Sequence, residues 1–212
     1  MIVSCKSFEK MDMVFNNMLK TAPIVTTLRN GGVGVVPTDT IYGIVGSALN
    51  PKTVARIYKL RRRNPKKPMI ILIGSMGDLR RFGIRPSSAT ARRLRQFWFS
   101  KKTGSVSVVL PIRFRIHASR FKYLHRGTNT LAFRLPKSAR LRKLLQKTRP
   151  LVAPSANWEG EPPAKTIREA KRYFKNNVDF YVEAGRLDSP PSMLAKIERE
   201  KVVVLRKGAE SM

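Results

Sequence analysis

Small polar side chains follow two apolar segments of the sequence, and their types suit the binding of a small ligand. Pro37–Gly43 (PTDTIYG) follows the apolar run Val33–Val36, and Pro154–Asn157 (PSAN) follows Leu151–Ala153. Each pattern predicts a buried strand that ends in hydroxyl groups, an amide or bare backbone. Open α/β sheets bind small molecules at such strand ends. Taken alone, the residues of Pro37–Gly43 favour an ordinary turn over a binding site.

Cationic residues dominate the chain between these two segments. No Asp or Glu occurs from Leu79 to Trp158, and the run Lys59–Pro68 (KLRRRNPKKP) carries six cations between an expected helix and an expected strand. Arginine presents paired planar donors that match phosphate oxygens, and lysine presents a point charge. We therefore favour phosphate binding over a merely solvated face, and predict a hydroxyl-lined pocket for an anionic, phosphate-bearing ligand.

Composition indicates a soluble globular chain with an extreme charge. The 212 residues are 42% hydrophobic and 26% charged, which excludes fibrous and disordered classes. There are 43 Lys and Arg residues against 13 Asp and Glu, a net charge of +30. Such a field attracts nucleic acid, nucleotides or anionic membrane. A general Lys/Arg bias of the source proteome is the alternative explanation.

The number of cysteines and the spacing of the histidines do not support a disulfide framework or a metal site. The only cysteine, Cys5, rules out a disulfide framework or a cysteine-rich zinc site. A lone thiol fits a reducing compartment, and we expect a cytoplasmic protein. His117 and His125 are not in a metal-ligand spacing, so we predict that both are surface residues and that the chain binds no metal through them. No apolar run is long enough to span a bilayer and the first residues do not resemble a signal peptide, so no membrane association is expected.

Apolar periodicity and capping residues predict alternating helices and strands. Asn50 followed by Pro51 is a helix start, and Thr166 with Glu169 predicts a capping box. The expected helices cover about 8–20, 24–30, 51–60, 88–98, 137–147 and 167–174, and the expected strands about 33–36, 69–73, 105–110, 130–134, 151–153, 179–182, 193–197 and 202–205. This order predicts an α/β fold, a twisted mixed β-sheet with flanking helices, in a single domain spanning 1–212.

The motifs, taken in order, resemble the YrdC-type threonylcarbamoyl-AMP synthases over nearly the whole chain. The resemblance is carried by Gly32–Gly46, the cationic run ending at Pro68, the stretch Gly104–Leu110, Pro154–Asn157, and a closing set formed by Ser192 and Arg206–Gly208. It implies a YrdC-like fold and an enzyme that condenses L-threonine, bicarbonate and ATP to threonylcarbamoyl-AMP and pyrophosphate. It also implies a separate transferase that passes the threonylcarbamoyl group to the tRNA adenosine next to the anticodon.

The resemblance further implies roles for individual residues. Threonine contacts are expected at Thr40, Ser107, Ala153 and Ser192, and ATP contacts at Arg63, Lys67, Thr103, Ser155, Pro163 and Arg206. The expected catalytic residues are Arg61, Arg63, Ser155 and Asn157, with Asn157 ordering the loop that carries Ser155. Mg²⁺ is expected with ATP, taking most of its ligands from the nucleotide and water, and no protein ligand for it is nominated.

Four positions depart from the family pattern. Arg61 stands where the family usually has lysine, and Leu72 where some members have histidine. Thr103–Ser105 replaces a Pro-Gly-Pro turn, and Met193 replaces a threonine. The first change alters donor geometry without altering charge.

Two other functions are compatible with the sequence. A non-enzymatic RNA-binding module would explain the charge, although exposed aromatic residues usually accompany the basic ones in such modules. Contact with tRNA could also accompany the enzyme activity. Carbamoyl transfer in hydrogenase maturation uses a related domain, but within longer chains that carry cysteine-rich zinc segments.

Overall fold

A computed structural model describes residues 22–100, 103–113, 115–198 and 201–208. The helix predicted over 8–20 and the lone Cys5 lie outside these described residues. The assignment of 1–212 to one domain therefore stays a prediction. Among the described residues, no helix is long and apolar enough to cross a membrane.

Helices and strands alternate along the chain, as the periodicity predicted. In order they are α1 Ala22–Arg29, β1 Val33–Pro37, β2 Tyr42–Ser47, α2 Pro51–Leu60, β3 Ile70–Leu72, a 3₁₀ helix Met76–Phe82, α3 Ser88–Phe99, β4 Val106–Pro111, α4 Arg115–Arg120, α5 Lys122–His125, β5 Thr130–Arg134, α6 Ala139–Thr148, β6 Leu151–Val152, α7 Ile167–Phe174, β7 Phe180–Tyr181, β8 Met193–Glu198 and β9 Lys201–Arg206.

All nine described strands form one mixed sheet, in the order β7-β1-β2-β6-β3-β5-β4-β8-β9. The pairs β1–β7, β3–β5 and β4–β8 are parallel, and the other neighbours are antiparallel. The predicted mixed α/β class is thereby confirmed. One detail differs: β1 and β2 form a hairpin, so Pro37–Gly43 is a hairpin connection whose last residues already belong to β2.

Side-chain caps begin the helices where the sequence predicted. Asn50 Oδ1 accepts hydrogen bonds from the backbone N–H groups of Lys52 (3.0 Å) and Thr53 (3.3 Å), and Pro51 takes the first helical position. Thr166 caps α7, but the Glu169 carboxylate accepts from the Lys165 N–H (2.8 Å), one residue earlier than in the predicted capping box.

The two faces of the sheet are covered differently, and this creates the site. On one face α3, the 3₁₀ helix and α2 pack over a continuous aromatic and aliphatic core that includes Phe82, Trp98 and Phe133. On the other face, helices α1 and α6 pack over a smaller core that includes Leu72 and Leu144. Further along this second face, alternate residues of β3, β5, β4 and β8 line a cavity.

The basic stretch around 113–126, which carries both histidines, is not simply a surface segment. It contains the two short helices α4 and α5, and His125 is only 4% exposed. Its Nδ1 accepts from the backbone N–H groups of Gly127 (3.1 Å) and Asn129 (3.3 Å), and its Nε2 lies 2.8 Å from the Ala118 carbonyl oxygen. The prediction that His125 is a surface residue was wrong, because these backbone partners hold the ring inside the turn that precedes β5.

Candidate functional site

The two polar segments that the sequence singled out lie side by side. Gly43 and Ser155 form an antiparallel bridge. The Ile44 N–H donates to the Pro154 carbonyl (3.0 Å), and the Ala156 N–H donates to the Tyr42 carbonyl (2.9 Å). This backbone pairing extends β2 alongside the second segment, so side chains distant in sequence meet at one edge of the sheet.

A cavity of about 500 Å³ opens at this edge. Eight of the predicted site residues line it: Thr40, Arg61, Arg63, Ala153, Ser155, Pro163, Ser192 and Arg206. Four do not: Lys67, Thr103, Ser107 and Asn157. The convergence of Thr40, Arg63 and Ser155 on one cavity is the geometry that an amino acid held beside a nucleotide requires.

Arg61 is held rigidly beneath the second polar segment. It is only 2% exposed, and its guanidinium donates to the Asn157 carbonyl (3.1 Å), Asn157 Oδ1 (2.9 Å) and Ser155 Oγ (3.1 Å). Its buried Nη1 has no hydrogen-bond partner among the described residues. Burial, followed by the charge of Arg63, lowers the pKa of Arg61 to about 10. The side chain therefore positions Ser155 and keeps one donor for an anion.

Asn157 acts behind the cavity wall. Its Nδ2 donates to the carbonyl oxygens of Trp158 (2.7 Å) and Glu161 (2.6 Å), while its Oδ1 accepts from Arg61. All its polar atoms are engaged in shaping the loop. It was predicted in the catalytic set as the residue that orders this loop, and its contacts suit that positioning role.

Arg134, at the end of β5, is a site residue that the sequence analysis missed. It lines the cavity and is 5% exposed. Its Nη1 donates to Thr40 Oγ1 (3.1 Å), its Nη2 lies 3.6 Å from Asp39 Oδ1, and its buried Nε has no described partner. In sequence it is one arginine of a very basic chain. A signal that could have found it is its place at the carboxyl end of a predicted central strand.

Asp39 connects the first polar segment to its neighbours. Its Oδ2 accepts from Ser105 Oγ (2.6 Å) and from the Lys137 N–H (3.1 Å), and its Oδ1 faces Arg134. The carboxylate therefore fixes the position of Thr40 and Arg134. Its buried Oδ1 accepts no hydrogen bond from a described residue, and Arg134 Nη2 is 3.6 Å away.

Two buried serines form a pair at the start of β4 and β8. Ser107 Oγ and Ser192 Oγ are 2.9 Å apart, and Ser107 is fully buried. Only Ser192 lines the cavity. Ser107, a predicted threonine contact, can therefore act on a ligand only through Ser192.

The cationic loop after α2 is partly engaged by its own surroundings. Arg63 donates to the carbonyl oxygens of Lys67 (3.1 Å) and Pro68 (2.9 Å) and still lines the cavity. Lys67 instead pairs with Glu159 (Nζ–Oε1 2.7 Å), outside the cavity lining. Glu159 also accepts from the Asn64 N–H, and its hydrogen bond with Lys67 is the main reason that its pKa is lowered.

The cavity is strongly cationic on one side. Arg206 donates to the Ser192 carbonyl (2.8 Å), and burial, followed by the charge of Arg134, lowers its pKa. Four arginines thus line one cavity: Arg61, Arg63, Arg134 and Arg206. A cluster of like charges in a partly desolvated site is stabilised when an anion binds.

Of the two remaining predicted ATP contacts, one lines the cavity and the other does not. Pro163 lines the cavity, whereas Thr103 lies outside it and donates to the Phe97 carbonyl (3.0 Å). Of the departures from the family pattern, Leu72 is fully buried in the core beneath α6, and the Met193 N–H donates to the Ser105 carbonyl (2.9 Å). Neither of these two side chains lines the cavity.

Metal binding by the protein alone finds no support in the part of the chain that the structure describes. No group of three or more His, Cys, Asp or Glu residues is arranged there to hold an ion. The lining offers hydroxyl groups and guanidinium groups, which do not suit Mg²⁺ as a ligand set.

Most of the chain is similar to known proteins of one family. Residues 26–208 match the Sua5/YciO/YrdC family model, described as "Telomere recombination". A Methanocaldococcus jannaschii protein, provisionally named a threonylcarbamoyl-AMP synthase, is 27% identical over 182 residues, covering 85% of this chain and 82% of its own. The threonylcarbamoyl-AMP synthase of Pyrococcus abyssi is 27% identical over 159 residues, and the match covers 74% of this chain but 44% of that protein.

Solved structures show the same fold. Pyrococcus abyssi Sua5 complexed with L-threonine has a TM-score of 0.74 at 25% identity, covering 87% of this chain and 52% of that one. Escherichia coli YciO has a TM-score of 0.73 at 19% identity, covering 95% and 91%. The chain thus spans about half the length of the Pyrococcus protein and nearly all of YciO. Because the family model matches most of the chain, this protein belongs to the Sua5/YciO/YrdC family.

Proposed function

We propose that this protein is an L-threonylcarbamoyladenylate synthase, which condenses L-threonine, bicarbonate or CO₂, and ATP into threonylcarbamoyl-AMP and pyrophosphate. The observation that carries the proposal is the single cavity lined by Thr40, Arg63 and Ser155, in which hydroxyl groups and guanidinium groups lie side by side. The relatives named as threonylcarbamoyl-AMP synthases and the threonine complex of Sua5 support it. The product would serve a downstream transferase that modifies tRNA, in the cytoplasm.

The threonine would lie at the end of the cavity formed by Thr40, Ser192 and Arg134. The buried Nε of Arg134 lacks a partner, and a carboxylate is the group that best matches an arginine donor. The hydroxyl groups of Thr40 and Ser192 can each donate or accept, so they suit the hydroxyl and amine of the amino acid. The Ala153 carbonyl lies on the same wall.

The triphosphate would lie toward Arg61, Arg63 and Arg206. Ser155 Oγ accepts from Arg61, so its own proton is free to be donated to a phosphate or carbamate oxygen. Mg²⁺ would enter bound to ATP and offset part of the phosphate charge. Lys67 could join the phosphates only by leaving Glu159.

The reaction needs no protein nucleophile. The amine of threonine adds to CO₂ and loses a proton to solvent, which gives a carbamate. A carbamate oxygen then attacks the α-phosphorus of ATP, a P–O bond to that oxygen forms, and the bond to pyrophosphate breaks. The contribution of the protein is to align the two substrates and stabilise negative charge on the transferring phosphoryl group. This makes the enzyme a nucleotidyltransferase.

The proposal is tested by following pyrophosphate and the adenylate in the presence of ATP, bicarbonate and Mg²⁺. We expect pyrophosphate release that requires threonine, with a matching adenylate detected by mass spectrometry. Serine in place of threonine and ADP in place of ATP are the controls. Pyrophosphate release that ignores threonine, or release driven by carbamoyl phosphate instead of threonine and bicarbonate, would overturn the assignment.

A further inference from the structure

A surface on the outer side of the α3 layer carries many arginines and few opposing charges. We call it the arginine band and define it by six exposed residues: Arg80, Arg85, Arg92, Arg93, Arg95 and Arg113. Three belong to α3, Arg80 lies on the 3₁₀ helix, Arg85 lies between that helix and α3, and Arg113 lies between β4 and α4. The band is not part of the cavity described above.

The band and the cavity lie on opposite sides of the sheet. The apolar side of α3, Leu94 and Trp98, belongs to the core formed with Val108. Side chains alternate along a strand, and Val109, the next residue of β4, lines the cavity. A molecule bound to the exposed side of α3 is therefore separated from the cavity by a helix layer and the sheet.

The arginines of the band are not neutralised by neighbouring carboxylates. Asp78 is the only acidic residue between Asp39 and Glu159 in the sequence. It pairs with Arg81 (3.0 Å), which is outside the band, and also accepts from the backbone N–H groups of Gly74 and Ser75. None of the six band residues is in an ion pair with a described carboxylate.

Five of the six arginines of the band line depressions of the surface. Arg80 and Arg85 line one depression, and Arg85 and Arg113 line a second, together with hydroxyl-bearing residues at the start of α3. Arg92 and Arg93 line a third with Gln96. Since α3 has 12 residues, it is about 18 Å long, comparable with roughly five base pairs of a duplex.

The choice of arginine indicates phosphate recognition. The stretch from Leu79 to Ser100 contains six arginines and no lysine, whereas the whole chain has 24 arginines and 19 lysines. A general bias toward basic residues would place both arginine and lysine in this stretch. Guanidinium groups bind phosphate oxygens with two parallel donors, and the serine, threonine and glutamine side chains among them also contact nucleic-acid backbones.

A lipid surface fits the band less well. A helix that lies in a membrane interface buries a wide apolar face in the lipid. The apolar face of α3 is already buried against the sheet. Phe99, which is 56% exposed, is the only large apolar side chain of this helix that is mostly exposed.

We propose that the arginine band is a binding site for the phosphate backbone of structured RNA, separate from the catalytic cavity. The band has donors for phosphate but no exposed aromatic cluster for stacking bases, so it binds without regard to sequence. The proposed function makes tRNA the RNA concerned, and on that point the inference rests on it. The band would retain the enzyme near the tRNA that receives the threonylcarbamoyl group.

The test measures binding of an unmodified tRNA transcript to the whole protein at several salt concentrations. The band variant replaces Arg85, Arg92, Arg93 and Arg95 by Gln. A matched control variant removes the same charge from exposed positions on α2 and α7 by replacing Lys52, Lys59, Arg168 and Arg172 with Gln. Threonine-dependent pyrophosphate release without RNA reports the cavity, and a thermal melt reports folding.

We expect the band variant to bind tRNA at least ~10-fold more weakly than wild type, with a salt slope smaller by about two or more. We expect the control variant to show less than half of the band variant's loss in tRNA affinity and in salt slope. Both variants should synthesise the adenylate at the wild-type rate. Equal losses in the two variants would show that only net charge matters and would overturn the site. Wild-type tRNA affinity in the band variant, or binding to phosphatidylserine vesicles in preference to tRNA, would also overturn it. The tRNA affinity, its salt slope and the thermal melt are independent of whether the cavity makes the adenylate, so failure of the proposed band and failure of the proposed synthesis are distinguishable.

Discussion

Arg134 Nη1 lies 3.1 Å from Thr40 Oγ1, which joins a strand end in the second half of the chain to the first polar segment. The same guanidinium faces Asp39, whose other oxygen accepts from Ser105 and the Lys137 backbone. Thr40 is therefore oriented by Arg134, the member of a buried charge pair that lines the cavity. An amino-acid carboxylate placed here would meet an arginine that is already fixed in position.

Arg134→Lys should weaken threonine binding selectively. Lysine keeps a charge beside Asp39, which avoids leaving that carboxylate unpaired, but it loses the paired donors. A lost hydrogen bond between charged groups costs about 1.5–3 kcal/mol, so KM for threonine should rise at least ~10-fold with a much smaller change for ATP. Steady-state pyrophosphate kinetics measures both constants.

Arg142→Lys is the matched control for this change. Arg142 donates to the Pro136 and Lys137 carbonyl oxygens and does not line the cavity. Its kinetics should stay near wild type. If Arg134→Lys raised KM for ATP as much as KM for threonine, Arg134 would belong to the nucleotide site instead.

The contributions of Arg61 and Ser155 to kcat should be coupled. Arg61 donates to Ser155 Oγ and is anchored by Asn157, so Arg61→Lys alters both a phosphate donor and the position of the serine. Removing a donor that stabilises developing charge costs a few kcal/mol, and we expect kcat to fall at least ~10-fold in Arg61→Lys and in Ser155→Ala.

The double variant of Arg61 and Ser155 distinguishes coupling from two separate roles. Residues in direct contact are not additive, so the double variant should be little worse than the poorer single one. Pre-steady-state measurement of adenylate formation separates this chemical step from product release. Fully multiplicative losses would mean that the 3.1 Å contact has no part in catalysis.

Local sequence signals were sufficient for most of the fold and part of the site. Capping residues such as Asn50 act on the next turn of the chain, and apolar periodicity reports burial directly. The meeting of the two polar segments followed from their places at strand ends. The location of Ser155 in the cavity could therefore be predicted without any knowledge of which strands pair.

The features that the sequence did not reveal depend on distant partners. Arg134 reaches Thr40 across 94 residues because β5 lies between β3 and β4. Lys67 is drawn away from the cavity by Glu159, 92 residues later. His125 is buried because backbone N–H groups converge on its ring. Each depends on strand order or loop geometry, which residue type and spacing do not encode.

Glu159→Gln should increase the affinity for ATP if Lys67 binds phosphate. Lys67 must give up its 2.7 Å ion pair with Glu159 to do so. The lysine is well exposed, and such pairs contribute about 0.2–1 kcal/mol, so KM for ATP should fall roughly 1.5- to 5-fold. Glu161→Gln removes the same charge nearby without touching Lys67 and should change KM less. An unchanged KM in Glu159→Gln would remove Lys67 from the ATP site.

Asp179→Asn should remove part of the stability that the protein gains above acidic pH. Asp179 accepts from Arg56 (2.8 Å) and from the Val33 N–H (2.6 Å), tying α2 to the start of β1. The hydrogen bonds with Arg56 are the largest cause of its lowered pKa, which burial partly opposes. Because the folded-state pKa is lowered, this stability is present above the unfolded value near 4 and is lost as pH falls below it.

Urea denaturation at several pH values measures the effect of Asp179→Asn. The pair is more than a third exposed and therefore screened, so we expect a loss of about 1 kcal/mol in the free energy of unfolding at neutral pH. The difference from wild type should shrink toward zero as pH falls through the folded pKa. Asp188→Asn, which changes a fully exposed carboxylate paired with Lys165, should cost less at neutral pH. A difference for Asp179→Asn that stays constant from neutral to acidic pH would mean that the carboxylate charge is not what stabilises this junction.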